Sequence, residues 1–220
     1  MFGRLDLMNI LYSLPAVFLA FSVHEFAHAF TAYRMGDHTP KLQGRLTLDP
    51  LAHVDWIGLI MFLFFGFGWA KPVQVNPSNF KNRKWGDILV SMAGPISNLI
   101  LAFFTVILIQ LFRLLPLFYP NHGLGTASAI LIRIMERIAF LNVVFSFLNM
   151  IPIPPFDGYK VVKAFFFKGN IKFFWVLERY SLIILFVMIM LNIFSYIVNA
   201  PSHYVYRFLN SSTAKLLGLF

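Results

Sequence analysis

Two imidazoles and a carboxylate stand together in an otherwise apolar stretch, FSVHEFAHAFT at residues 21–31. Positions four apart share one face of an α-helix, so His24 and His28 can each direct a ring nitrogen at one cation while Glu25 stands beside them. This is the H-E-x-x-H arrangement, in which two histidines hold zinc and the glutamate acts as general base. A catalytic zinc takes three protein ligands and keeps a further position for water. The chain has no cysteine, so the third ligand must be His, Asp or Glu. The candidates are Asp6, Asp37, His38, Asp49, His53, Asp55, Asp87, His122, Glu136, Asp157, Glu178 and His203.

Asp157 stands out among them. It lies in NMIPIPPFDGYK, where Pro152, Pro154 and Pro155 forbid regular helix and Gly158 allows a tight turn. Irregular backbone at the end of a membrane span is tolerated only where protein or a cavity surrounds it. A solvated aspartate in a proline-rich loop is the plainer alternative.

The elements that must position these groups are membrane helices. Of 220 residues, 59% are hydrophobic and 12% charged, and mean hydropathy is +0.72. Soluble domains carry about a quarter charged residues. The net charge of +9 resides in short loops between apolar runs, a pattern that suits anionic headgroups rather than nucleic acid. Residues 7–23, 88–112, 138–156 and 180–206 are uncharged runs of spanning length, the last broken by Pro201, so its helix is expected to stop near Ala200. The expected fold is therefore an all-α polytopic membrane protein with about four transmembrane helices. Residues 1–200 would form the intramembrane core and 201–220 a C-terminal tail that could lie at the interface as an amphipathic helix.

Residues 56–70, WIGLIMFLFFGFGWA, are too short for a span and contain three glycines, which predicts a re-entrant segment. Beside it, residues 41–48 and 71–76 alternate apolar and polar types, which predicts a small sheet at the membrane surface. Basic residues in 34–45, 71–84 and 160–172 place those loops in the cytoplasm. The first helix then delivers His24 and His28 to the cytoplasmic rim. With 56–70 re-entrant, the parity of the spans returns Asp157 to the same rim. In hydrocarbon, a structural pair of histidines with Glu25 as counter-charge would be costly to leave uncompensated, which favours a bound cation.

HEFAH resembles the first signature of the site-2 proteases, the intramembrane zinc metalloproteases, and NMIPIPPFDG resembles their second, N-x-x-P-x-P-P-x-D-G. GRLTLDPLAHVDWIG and MAGPISN, between the two, also resemble family segments. The resemblance covers roughly residues 15–160. With no PDZ or CBS insertion in view, it points to the minimal branch found in bacteria and archaea. It implies that His24, His28 and Asp157 ligate Zn2+, that Glu25 is the catalytic base, and that Asn149 positions substrate or stabilises the oxyanion. Asn98 of G-P-x-x-N, with Gly94 beside it, is expected to hold helices together; His53 either supports a ligand or closes a turn. His38, His122 and His203 are expected in loops.

The resemblance further implies an endopeptidase that cuts transmembrane segments of single-span membrane proteins near the cytoplasmic face. The alternative is a non-catalytic membrane protein that binds or transports metal. A transporter would show internal repeats or polar residues along a pathway, whereas this chain shows one cluster at one rim.

Overall fold

The computed structural model describes residues 7–65, 68–115, 125–166 and 171–218. Three long helices form the centre: α1 (Leu7–Arg34), α5 (Arg83–Leu114) and α6 (Gly125–Asn149), each packed against the other two. In α1 the buried positions recur every fourth residue, with Ala16, Ala20, His24, His28 and Ala32 on one face. Small residues at that spacing let neighbouring helices approach closely. The α5 helix starts where the Asn82 side chain accepts from the Trp85 amide at 3.2 Å, a cap on otherwise orphaned donors.

Residues 10–34 and α5 are long and apolar enough to cross a membrane. A third span is possible if α8 (Ile171–Arg179) and α9 (Ser181–Met190), which meet at a 57° bend, count as one. Two of the four expected spans thus stand as long apolar helices. Helix α6 has the length but carries Arg133, Glu136 and Arg137 near its middle.

The run 180–206 is not one helix ending near Ala200. It breaks at Asn192, which adopts left-handed backbone with φ 54°, and α10 (Ile193–Leu216) then continues straight through Pro201. The proline costs one backbone hydrogen bond, but beyond it Tyr206 and Leu209 pack on Val106, Ile109 and Met135, and Thr213 and Ala214 are buried. A boundary at residue 200 therefore cuts through α10.

Helix α2 (Thr39–Leu42), α3 (Pro50–His53) and α4 (Trp56–Phe65) follow α1. The Asp55 carboxylate accepts from the amides of Ile57 and Gly58 and starts α4. The chain then returns to its point of departure. Val54 and Ala70 form an antiparallel bridge, and the Lys71 amide donates to the His53 carbonyl at 2.9 Å. This doubling back agrees with the short length of 56–70; residues 66 and 67 lie outside the described part.

The small sheet is not there: no strand occurs among the described residues beyond that single bridge. Residues 41–48 turn instead of extending, because Pro40 opens α2 and Gly44, at φ +67°, reverses the chain. Residues 71–76 run without helix or ladder. Pro72 lacks a donor, and the amides of Val73 and Asn76 are taken by the carboxylates of Glu25 and Asp37.

Asp37 anchors this region. Fully buried, it accepts from Thr39 through both amide and hydroxyl, from the Asn76 amide and from the Asn79 side chain.

Candidate metal centre

His24 and His28 project from α1 into an open cleft of about 340 Å³, whose lining includes Glu25, Val73, Asn149 and Asp157. Asp157 reaches it from the other end of the chain. Helix α6 ends at Asn149, and the proline-rich turn is held by the Ile153 amide donating to the Ile151 carbonyl and the Phe156 amide to the Ile153 carbonyl. Asp157 is the first residue of α7 (Asp157–Phe166), where a carboxylate is favoured by the helix dipole. A Cβ on Gly158 would sit 2.2 Å from the Met150 carbonyl oxygen, so only glycine lets the turn close this tightly behind Asp157.

Three atoms converge. Asp157 Oδ2 lies 3.1 Å from His24 Nε2 and 3.0 Å from His28 Nε2, and the two Nε2 atoms are 3.0 Å apart. All three side chains are buried. His28 Nδ1 donates to the Val90 carbonyl at 2.7 Å, which leaves its Nε2 with a lone pair facing the other two atoms. A shared proton could satisfy such a convergence once; a divalent cation satisfies all three donors together. The spacing is near the ~3.3 Å that separates ligand atoms around a tetrahedral zinc with bonds of about 2.0–2.1 Å. The donor set and its geometry fit zinc.

The room for that set comes from Gly94 of α5. A Cβ there would stand 2.5 Å from His24 Cε1 and 2.6 Å from both Nε2 atoms. Gly94 was expected to bring helices together; its closest neighbours are the imidazoles themselves. Beside them, the Val73 amide donates to Glu25 Oε2 at 2.8 Å and fixes that carboxylate at the edge of the cleft. No residue-type signal marks this contact, because the donor is backbone.

Of the other candidate residues, Asp87 also lines the cleft. Asn149 lines the cleft while its amide donates to the Phe145 carbonyl at 3.0 Å. Asn98 is buried one helical turn beyond Gly94, its Oδ1 without a partner among the described residues. His53 stands apart from the three-atom group. It is fully buried, and its Nε2 donates to the Thr47 carbonyl at 2.8 Å, closing the turn before α4. His38 precedes α2 and packs edge-on against Tyr33. His203 is not in a loop but within α10, against the ring of Phe140. Asp49 and Asp55 cap α3 and α4, Glu136 pairs with Arg113, and Glu178 pairs with Lys163 and Tyr159. Asp6 and His122 lie outside the described residues.

Three similar proteins share the name "Putative zinc metalloprotease". YwhC of Bacillus subtilis is 36% identical over 212 residues, covering 95% of this chain and 90% of its own length. Rip2 of Mycobacterium tuberculosis is 36% identical over 145 residues, 64% of this chain, and the match spans about half of its length, 52%. MJ0611 of Methanocaldococcus jannaschii is 29% identical over 164 residues, 74% of each chain. No family model and no solved structure matches the chain. Likeness to YwhC over nearly the whole of both proteins, with a buried His–His–Asp group suited to zinc, settles the assignment: the chain belongs to the site-2 protease family of zinc metalloproteases.

Proposed function

We propose that this protein is an intramembrane endopeptidase that cuts transmembrane segments of single-span membrane proteins near the cytoplasmic face. In this reading His24, His28 and Asp157 hold Zn2+ and Glu25 is the general base. The observation that carries it is the convergence of two Nε2 atoms and Oδ2 within 3.1 Å, at the end of an apolar helix bundle. The basic residues of 34–45, 71–84 and 160–172 support a cytoplasmic position for that end.

Held by His24, His28 and Asp157, zinc would supply a water of lowered pKa and polarise the scissile carbonyl. Glu25 takes the proton of the attacking water and delivers it to the leaving amine. The Val73 amide holds the Glu25 carboxylate in place through one oxygen and leaves the other for the proton. Asn149 lines the cleft, and the side-chain N–H not given to the Phe145 carbonyl can donate to the oxygen on which negative charge develops.

A helical substrate shields its amides and must be opened before attack. Residues 71–76 provide an edge for it: they run beside Glu25, and the Gln74 amide has no partner among the described residues. An unwound substrate strand can add to that edge by main-chain hydrogen bonds.

Two variants test the proposal in purified protein with a single-span substrate. Glu25→Gln should retain zinc and lose cleavage by at least about a hundredfold; cleavage near the wild-type rate would remove Glu25 from the mechanism. Gln74→Pro should also keep zinc and lose cleavage, whereas unchanged cleavage would rule out strand addition at this edge.

A further inference from the structure

We propose that Lys160 is a positioning residue of the metal centre: its ammonium takes one oxygen of Asp157 and leaves the other alone to face the two histidines. The proposal rests on the reading of His24, His28 and Asp157 as zinc ligands, and it adds a group which that reading leaves out.

The two oxygens of Asp157 are used differently. Oδ2 faces both Nε2 atoms at 3.0 and 3.1 Å, and Oδ1 lies 2.9 Å from Lys160 Nζ. The Asp157 side chain is 6% exposed, so water does little to hold Oδ1. Lys160 lies three residues on from Asp157 in α7, on the same face of the helix. The placement of that face is secured at two points. Gly158 is wedged against the Met150 carbonyl, and on the outer side Tyr159 and Lys163 both donate to the Glu178 carboxylate of α8. With the backbone held, rotation of the carboxylate is the freedom that remains to Asp157. Lys160 removes it.

The chemical consequence follows from the count of donors. A site that must also accept water and a scissile carbonyl needs its carboxylate to occupy one position, not two. With Lys160 gone, Oδ1 is a buried acceptor without a partner, and the cheapest way to satisfy it is to turn it toward the cation as well. Partners of this kind, one step removed from the metal, change metal affinity or activity by about 10–100-fold when removed.

Cobalt(II), whose visible absorption is strong with four ligands and weak with five or more, reports this without reference to catalysis. Full-length wild-type, Lys160→Ala, Lys160→Arg and Asp157→Ala proteins would be loaded with cobalt in detergent. Lys160→Ala should absorb severalfold less strongly than wild type, and its zinc form should cleave about 10–100-fold more slowly. Lys160→Arg, which restores a cationic donor to Oδ1, should recover the wild-type spectrum.

A wild-type spectrum in Lys160→Ala overturns the proposal while leaving the ligand assignment intact. If Lys160→Ala binds no cobalt, recovery in Lys160→Arg supports the proposal and failure of both variants overturns it. A wild-type spectrum in Asp157→Ala sinks the ligand assignment instead.

Discussion

About 18–22 Å along α5 from Gly94, Val106 and Ile109 meet Met135 and Ala139 of α6 and the side chains of Tyr206 and Leu209 of α10, filling the space between helices. At the Gly94 end the same two helices present Ser91, Gly94 and Asn98 on one and Asn149 on the other, and the space is left to imidazoles, a carboxylate and an open cleft. One end is close-packed; the other is kept small and polar. The two ends should therefore fail in opposite ways: the packed end when atoms are removed, the cleft end when atoms are added.

The largest effect is expected from the smallest addition. Gly94→Ala places a methyl carbon 2.5–2.6 Å from the imidazole atoms of His24 and His28. Imidazoles are movable ends of side chains, so the helices should stay in place while the rings are pushed out of register. Displacements of about 1 Å cost on the order of 100-fold in rate. Zinc content and cleavage should both collapse while helix content is kept, and retained zinc with cleavage within a fewfold of wild type would show that the cleft tolerates added volume.

At the packed end, Ile109→Ala removes a fully buried side chain and should destabilise by about 2–5 kcal/mol. Its zinc content and cleavage rate, measured below the melting transition, should match wild type. Loss of zinc in that variant would mean that the two ends are mechanically coupled.

A smaller effect is expected at Asp37, which ties the end of α1 to residues 76–79. Burial alone would raise its carboxyl pKa, but hydrogen bonds from Thr39, Asn76 and Asn79 outweigh burial and hold it below the usual aspartate value. A depressed folded pKa stabilises the protein at pH above the unfolded value, about 3.9, and that contribution fades as pH falls through the folded value. Asp37→Asn should cost about 2 kcal/mol near neutral pH, and the gap from wild type should narrow below roughly pH 4. A gap independent of pH would show that the carboxylate's charge is not what matters there.

How far the sequence revealed this arrangement depends on what kind of group does each job. His24, His28 and Asp157 are side chains of uncommon types in an apolar chain, so helix periodicity and proline placement could single them out before any coordinates did. The Val73 amide could not be found that way, since every residue but proline carries one. Gly94 was visible as a place of close approach, but which group approaches it is a long-range fact that local spacing does not encode.

The sheet expected from LQGRLTL fails because its alternation surrounds Gly44, whose positive φ turns the chain. The helix end expected near Ala200 fails because burial of residues beyond Pro201 outweighs one missing hydrogen bond. Lys160 looked like one more cytoplasmic cation, and only the path of α7 sets its ammonium against Asp157.

In the proposed reading one zinc ion joins α1 to the start of α7. Metal analysis of the purified full-length protein beside Asp157→Ala tests it most directly. About one zinc per wild-type chain is expected, with a large loss in the variant and helix content unchanged. Equal zinc in both proteins would contradict it.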